Sequence, residues 1–358
     1  MIDWGLAVST GTRLVRPGPQ VTRDQARQAV QELRVLSGDA EHHVKEFTGL
    51  GEPAEHGPAA VVDRPGWIRS NVDGFRVVLE PVVEQMARRQ SASFGNTLVA
   101  AVGSRVTGVQ IGSILAYLAS RVLGQYELFL PPDPDGGQPV GRLTLVAPNI
   151  VQVERELDVD PHDFRLWVCL HEVTHRTQFT AVPWLRNHVH AEITSFLLAS
   201  EVGPSEMLER LGAAANAVVD VVRGGDASLL EAVQNEQQRE VLDRLTAVMT
   251  LVEGHGDFVM DGVGPSVVPS VAEIREKFQR RRASGNAFEL AFRKLIGIDL
   301  KMKQYQQGAA FVRTVVDEVG MSGFNRVWTS PNTLPTREEI ADPQRWIDRV
   351  ARPALPES

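Results

Sequence analysis

Residues 160–175 read DPHDFRLWVCLHEVTH, and this stretch joins a helix start to the metal-binding pattern H-E-x-x-H. An aspartate followed by proline is typical of a helix N-terminus, and the apolar run after Asp160 predicts a buried helix. His171 and His175 lie four positions apart, so both imidazoles would project from one helix face and could share a tetrahedral zinc ion. Ionisable groups are costly in a buried helix unless they have partners, which favours a zinc site over two isolated core histidines.

Glu172 follows the first of these histidines and lies about 100° further around the helix. From there its carboxylate can reach a water molecule on the zinc but not the zinc itself. Zinc lowers the pKa of such a water toward 7, and a carboxylate can take the proton as the water attacks a carbonyl group. The pattern therefore predicts Glu172 as the catalytic general base.

A zinc site of this kind needs a third protein ligand. The metzincin pattern, which adds a glycine and a further histidine, is absent because Gln178 and Ala181 occupy those positions. Three residues on the next predicted helix are candidate ligands: His188, His190 and Glu192.

A better candidate lies in the segment Glu253-Gly-His-Gly-Asp257. It matches the E-x-x-x-D arrangement of the gluzincins, in which a helical glutamate completes the zinc shell and an acid one turn later accepts a hydrogen bond from a ligand histidine. That hydrogen bond fixes the imidazole tautomer and raises its basicity. We therefore predict Glu253 as the third ligand and Asp257 as the residue that orients His171.

Two glycines flank His255 in this predicted helix, and each costs about 1 kcal/mol relative to alanine. Close approach of another helix or of substrate at Gly254 and Gly256 would explain that cost, and a fraying helix end is the alternative. His255 points away from the face of Glu253, which favours a rim or core histidine. We keep it, together with Tyr305, as a candidate substrate or oxyanion contact.

The overall charge is negative: 37 lysines and arginines stand against 45 aspartates and glutamates, a formal net charge of −8. This balance argues against a nucleic-acid or anionic-membrane partner. The most apolar stretch, residues 106–123, is too short and too polar to cross a bilayer, so it predicts a buried helix in which Gly108 and Gly112 allow close packing. The one cysteine, Cys169, excludes an intrachain disulfide, fits a cytoplasmic protein and is predicted to lie in the core.

One segment, residues 275–303, is strongly basic, with nine lysines and arginines against three acidic residues. A solvated helix face is the simpler interpretation of such a run. A wall that attracts acidic groups of a substrate is the alternative.

The apolar periodicity predicts a mainly α protein with a small β-sheet. We expect one compact unit: an N-terminal helical part over about 1–150, a metal-site helical part over about 151–330, and an irregular tail over 331–358. An irregular arm is expected over residues 1–20, a loop over 49–65 and a strand over 142–147. The expected helices span residues 22–36, 77–89, 106–123, 161–179, 184–202, 205–223, 228–261, 270–283, 287–297 and 307–319.

Three segments carry a resemblance to a known family: HEVTHRTQF at 171–179, VPWLR at 182–186 and LVEGHGDFVMD at 251–261. Further matches are VVDRPGWI at 61–68 and KMKQYQQG at 301–308. The chain resembles a largely actinobacterial family of zincin-like, zinc-dependent metalloproteases, often labelled coenzyme F-420 biosynthesis-associated. The resemblance covers most of the chain. It implies a mostly α, zincin-like (gluzincin-type) metallohydrolase fold with His171, His175 and Glu253 as zinc ligands and Glu172 as base, and it implies no known substrate.

These residues predict a cytoplasmic zinc peptidase or related hydrolase with one zinc per chain, acting on a peptide or small amide substrate. A non-catalytic zincin-like binding or scaffold protein is the alternative. Glu172 favours the enzyme, because a structural zinc needs no base and is usually closed by four protein ligands. A fourth protein ligand, such as His188 or His255, would favour the scaffold. No glycine loop that could cradle a phosphate supports a deazaflavin-binding role, and the sequence favours no particular oligomeric state.

Overall fold

Helices form most of the protein, and a three-stranded sheet packs beside them. The computed structural model describes residues 2–50, 57–89, 97–132, 141–199, 236–283 and 298–352, with the side chains of all but residues 86–89, 97–103, 282–283 and 298–306. The prediction of a mainly α fold with a small sheet is confirmed.

The longer helices are α1 (Trp4–Leu14), α2 (Arg23–Thr48), α3 (Arg64–Arg89), α4 (Thr97–Ala119), α5 (Ala147–Leu157), α6 (Pro161–Ala181), α7 (Pro183–Leu198), α8 (Glu236–Gly262), α9 (Val271–Ala283) and α10 (Ile298–Phe324). Short helical turns follow at Asn325–Trp328, Pro331–Thr333, Arg337–Ala341, Pro343–Trp346 and Ile347–Ala351. The strands are β1 (Ala60–Val62), β2 (Gly124–Glu127) and β3 (Arg142–Val146). Their order is β1-β3-β2, with β1 parallel and β2 antiparallel to β3.

Helix α6 carries the H-E-x-x-H pattern through the core. Its N-terminus is capped by the Asp160 carboxylate, which accepts a hydrogen bond from a backbone amide one turn later at 2.9 Å. Most of its residues are buried, and Arg165 is neutralised within the core by Glu154 at 2.6 Å and by Glu32 at 2.5 Å. Cys169 is buried on the same helix, as predicted. The cap begins α6 at Pro161, the apolar run places it in the core, and the ion pairs compensate the buried charge of Arg165.

The first 20 residues are not an irregular arm, because residues 4–14 form α1. The Asp3 carboxylate caps this helix by accepting a hydrogen bond from the Leu6 amide at 2.8 Å. The helix then packs on α4, where a Cβ added at Gly108 would lie 2.5 Å from the Asp3 carbonyl oxygen and one at Gly112 would meet the Ala7 carbonyl. The predicted role of these two glycines in close helix packing is confirmed. Of the residues that favoured an irregular arm, Gly11 lies within α1, whereas Pro17, Gly18 and Pro19 lie beyond it.

Helix α2 continues twelve residues past its predicted end at residue 36, to Thr48. It begins with a capping box between Thr22 and Gln25, and it ends at Gly49 in the left-handed conformation. The glycine at position 38 does not end it, because that residue faces solvent while buried positions continue to Thr48.

Several further elements differ from the prediction. β1 lies in the predicted loop over 49–65 and β2 was not predicted, because strands of three or four residues are too short to show a period. α5 was not predicted either. α3 and α4 begin before their predicted starts, and helical turns interrupt the predicted irregular tail. The strand over 142–147 and the helices over 161–179 and 270–283 are confirmed within two residues. The predicted helices over 205–223 and 287–297 lie outside the described residues.

None of the helices in the described ranges combines the length and the apolar composition needed to cross a bilayer.

A second glycine crossing joins α8 to α10. A Cβ added at Gly254 would overlap the backbone of Gly308 and lie 2.5 Å from the Ala309 amide nitrogen. A Cβ at Gly308 would in turn overlap the Thr250 carbonyl. Backbone meets backbone at this point, so the helices cannot move aside by a change of rotamer.

We expect Gly254→Ala to lower the free energy of unfolding by about 1–3 kcal/mol, because the added methyl group overpacks this crossing. Gly38→Ala is the matched control: position 38 lies on an exposed helix face with nothing within 4 Å of an added Cβ. That control should gain about 0.5–1 kcal/mol from helix propensity. Urea unfolding of both variants measures the difference, and equal stability of the two would contradict the crossing.

Candidate metal centre

Three side chains from two helices converge at one point. The Nε2 atoms of His171 and His175, on α6, are 3.1 Å apart. The Oε2 atom of Glu253, on α8, lies 3.6 Å from each of them. These distances fit a metal, because bonds of 2.0–2.1 Å to a tetrahedral zinc ion separate two ligand atoms by about 3.3 Å. The three residues form a group that could hold a metal ion.

Gly256 gives the two imidazoles their space. A Cβ added there would lie 3.0 Å from Cε1 of His171 and 3.2 Å from Cε1 of His175. A side chain at this position would crowd both rings, so that either the imidazoles or α8 would have to shift by a few tenths of an ångström. With the crossing at Gly254, this contact explains both glycines by close helix packing, and α8 continues as a helix to Gly262 instead of fraying.

The electrostatics of the group favour a cation. Burial alone would raise the pKa of Glu253, but the two adjacent histidines outweigh it and hold that pKa well below its usual range. Burial likewise opposes charge on His175, yet the nearby Glu253 carboxylate raises the pKa of its imidazole to about 9. An ionised Glu253 carboxylate therefore faces two imidazoles. A bound metal ion would take the place of the proton that this carboxylate favours on His175.

Glu172 is buried next to this group. Burial raises its pKa, while the neighbouring His171 and His175 act in the opposite direction. Its side chain lies against β2, where a Cβ added at Gly124 would be 2.6 Å from both Cγ and Cδ of the glutamate. Strand β2 thus passes directly over the predicted base.

Asp257 lies one helical turn beyond Glu253, on the side of His171. Its Oδ1 is 3.6 Å from Nδ1 of His171, a buried atom with no hydrogen-bond partner among the described residues. This is an ion-pair distance, longer than a hydrogen bond. The structure therefore brings together the acid and the imidazole that the sequence pairs.

The second histidine of the group, His175, contacts Gln178, a residue that the sequence analysis used only to reject the metzincin pattern. Nδ1 of His175 lies 3.0 Å from Oε1 of Gln178. Nε2 of Gln178 donates to the Val252 carbonyl oxygen at 2.9 Å and lies 2.9 Å from Nδ1 of His255. An amide three positions after a ligand histidine, within a buried helix, is the sequence signal that could have identified it.

His255 is fully buried behind His175, and its ring packs against Phe324 and Trp328 with centroid separations of 5.2 and 5.5 Å. Burial lowers the pKa of its imidazole to about 3. The prediction that His255 contacts substrate or an oxyanion is contradicted, because a side chain enclosed in the core does not reach a substrate. The side chain of Tyr305, the other candidate contact, lies outside those that the structure describes.

The alternative ligands on α7 all have other neighbours. His188 packs on the Trp184 ring and His190 on the Phe129 ring, at 5.9 and 5.5 Å. Glu192 forms an ion pair with Arg244 at 3.0 Å. None of the three belongs to the group formed by the convergent ligands.

In the described part of the basic segment, four cations are paired with acids, which supports the simpler interpretation of a solvated helix face. These pairs are Arg275–Asp261, Lys277–Glu273, Arg280–Glu276 and Arg281–Glu156. Residues 284–297 of that segment lie outside the described residues.

The sequence profile of the zincin-like metallopeptidase family matches residues 2–347. The chain belongs to this family. Membership supports a zincin-like fold and a metal-dependent hydrolase, and it implies a metal, typically zinc, for which the convergent group is a candidate site. The F-420-associated label of the resembling family is not tested by this match and stays a prediction.

A solved structure from Chloroflexus aurantiacus, provisionally described as a hydrolase with a novel fold, is similar to this zincin-like protein. The two are 32% identical, the match covers 98% of each chain, and the TM-score is 0.67. No curated protein matches the sequence.

Glu253→Gln should abolish stoichiometric zinc binding, because an amide oxygen is a far weaker ligand than the carboxylate it replaces. Glu192→Gln is the matched control: the same chemical change on α7, at a side chain paired with Arg244. Elemental analysis after zinc loading should find about one zinc per chain in the parent and in the control. Equal zinc content in Glu253→Gln and the parent would remove Glu253 from the ligand set.

Asp257→Asn should weaken zinc binding by roughly 10–100-fold, because the carboxylate near Nδ1 of His171 supports that ligand's orientation and basicity. Competition with a chelator of known affinity measures the change. Parent-like affinity in Asp257→Asn would argue against the orienting role.

Proposed function

We propose that this protein is a zinc-dependent metallopeptidase in which His171, His175 and Glu253 hold the zinc and Glu172 is the general base. The observation that carries the proposal is the convergence of the three ligand atoms, 3.1–3.6 Å apart, beside a buried glutamate that does not belong to the ligand group. Family membership supports the same class of reaction.

The donor set supports zinc and an open coordination site. Two imidazole nitrogens and one carboxylate oxygen are typical of catalytic zinc, which has three protein ligands and leaves a fourth position free. Among the described residues no fourth side chain joins the group. His188 and His255, the residues that would have closed it in a scaffold protein, contact other partners.

The bound zinc would supply Lewis acidity that polarises a substrate carbonyl and makes a water molecule more acidic. Glu172 takes the proton of the attacking water on its carboxylate and returns it to the leaving nitrogen. Its burial under β2 keeps bulk solvent from the carboxylate. Gln178 is hydrogen-bonded to Nδ1 of His175, and Asp257 lies at ion-pair distance from Nδ1 of His171.

A peptide is the substrate class that the sheet supports. β2 pairs with β3 on one side only and is an edge strand among the described strands. An extended peptide can add to such an edge through main-chain hydrogen bonds. Because Gly124 of this strand contacts Glu172, a peptide along β2 would bring its carbonyl groups close to the base.

Glu172→Gln should keep zinc and the fold but lose roughly 10²–10⁴-fold in turnover, because glutamine preserves the shape of the side chain and removes the base. The assay begins with the zinc-loaded parent on a pooled peptide library read by mass spectrometry, with simple amides tested in parallel. The Glu192→Gln variant should cleave at the parent rate.

Two outcomes of this assay contradict different parts of the proposal. Equal cleavage by the parent and Glu172→Gln would show that Glu172 is not the general base, while the assignment of the protein as a hydrolase would stand. A zinc-loaded parent that cleaves neither peptides nor amides would reject the peptidase in favour of the scaffold alternative.

A further inference from the structure

Behind His175, two fully buried polar side chains continue away from the metal group, one on each helix. Gln178 lies between His175 and His255, with both ends of its amide engaged. His255 has no role in the mechanism proposed above. A buried imidazole next to a ligand's hydrogen-bond partner, on the helix that carries the third ligand, requires an explanation.

His175, Gln178, His255 and the Val252 carbonyl form a chain of hydrogen bonds, and its donors and acceptors can be assigned in one way only. The Val252 carbonyl can only accept, so the amide nitrogen of Gln178 must face it at 2.9 Å, and the amide cannot be turned round. The second hydrogen of that nitrogen then points to Nδ1 of His255, also at 2.9 Å, which must be an acceptor. Oε1 of Gln178 is left to accept from Nδ1 of His175 at 3.0 Å.

The direction of the chain fixes two tautomers. His175 carries a hydrogen on Nδ1, so its other ring nitrogen, Nε2, which faces His171 and Glu253, is the atom that would give up a proton to a metal ion. His255 carries its hydrogen on Nε2, a buried atom with no hydrogen-bond acceptor among the described residues and close to the Phe324 and Trp328 rings. Without its two partners, the Gln178 amide could turn over and exchange its oxygen and nitrogen. The contacts of its nitrogen with the Val252 carbonyl and with Nδ1 of His255 prevent this rotation.

We propose that Gln178 and His255 are positioning residues that hold His175 in the tautomer that binds metal and tie its helix to the helix of Glu253. The Gln178 amide donates to Val252, the residue before Glu253, so one side chain sets both the tautomer of one ligand and the distance to another. The inference rests on the proposed metal site and adds a second support beside Asp257. Asp257 orients His171, and the hydrogen bonds of Gln178 and His255 orient His175.

The tautomers are read directly by NMR of protein labelled with ¹⁵N-histidine. We expect His255 in the Nε2–H form in both metal-free and zinc-loaded protein, assigned by the loss of its signals in His255→Phe. In zinc-loaded protein, His175 should show a protonated Nδ1. His255 in the Nδ1–H form would reverse the chain and overturn the inference, whether or not the protein binds zinc.

Zinc affinity tests the role of Gln178. Gln178→Met keeps the length of the side chain and removes every hydrogen bond, and it should weaken zinc binding by roughly 10–100-fold in a chelator competition. Thr180→Val is the matched control: a buried, near-isosteric change on α6 that also removes a hydrogen bond, from Oγ1 to the Arg176 carbonyl, away from the ligands. Its affinity should match the parent's. Parent-like affinity in Gln178→Met would overturn the inference.

Two substitutions of His255 separate positioning from packing. Asparagine places an oxygen where Nδ1 stands but leaves a cavity beside Phe324, so His255→Asn should lose stability and keep near-parent zinc affinity. Phenylalanine fills the space but accepts no hydrogen bond, so His255→Phe should be the more stable of the two and bind zinc about tenfold more weakly. Affinities that follow the order of stability would show a packing role alone.

The double variant Gln178→Met/His255→Phe completes the cycle. Because His255 acts through Gln178, the second substitution should weaken zinc binding no further than Gln178→Met does. Additive losses would contradict a shared chain. A parent that binds no zinc would reject the metal site itself, whereas a zinc-binding parent with an unaffected Gln178→Met would reject only this inference.

Discussion

The imidazoles of His171 and His175 rest against the backbone of α8 at Gly256, and the rest of the site depends on this contact. A Cβ added at this position would lie 3.0–3.2 Å from both rings, closer than most side-chain contacts, so glycine allows this helix separation without displacing the imidazoles. At this separation Glu253, one turn earlier, lies 3.6 Å from both Nε2 atoms. The glycines at 254 and 256 cost about 1 kcal/mol each in helix propensity, and the two close contacts they allow account for their presence.

Features that depend on residues close together in the chain could be predicted from the sequence. The cap at Asp160, the apolar run after it and the four-residue spacing of His171 and His175 are all local, and α6 follows the prediction within two residues. The four-residue spacing of Glu253 and Asp257 is local as well. α1 was missed because its capping aspartate stands near the chain start, before a helix whose burial depends on the glycines of α4, about a hundred residues later.

Contacts between distant residues were beyond a single sequence. The Gln178 amide contacts partners 74 and 77 residues away, and no residue near Gln178 in the sequence predicts its contacts with Val252 or His255. The same holds for Gly124, whose position over Glu172 depends on how β2 pairs with β3. For His255 the helical spacing gave the direction away from Glu253, but burial behind a ligand became visible only once α6, α8 and α10 were packed together.

Because the ligands come from α6 and α8, a metal at this site is also a cross-link between two distant parts of the chain. The unfolded chain does not hold these three side chains within 3.6 Å of one another, so the free energy of metal binding adds to the free energy of folding. At a free metal concentration a hundred times Kd this amounts to about 2.7 kcal/mol. If the proposed site binds metal, the lifetime of the folded protein would depend on metal supply, and metal-free protein would be degraded more readily than loaded protein.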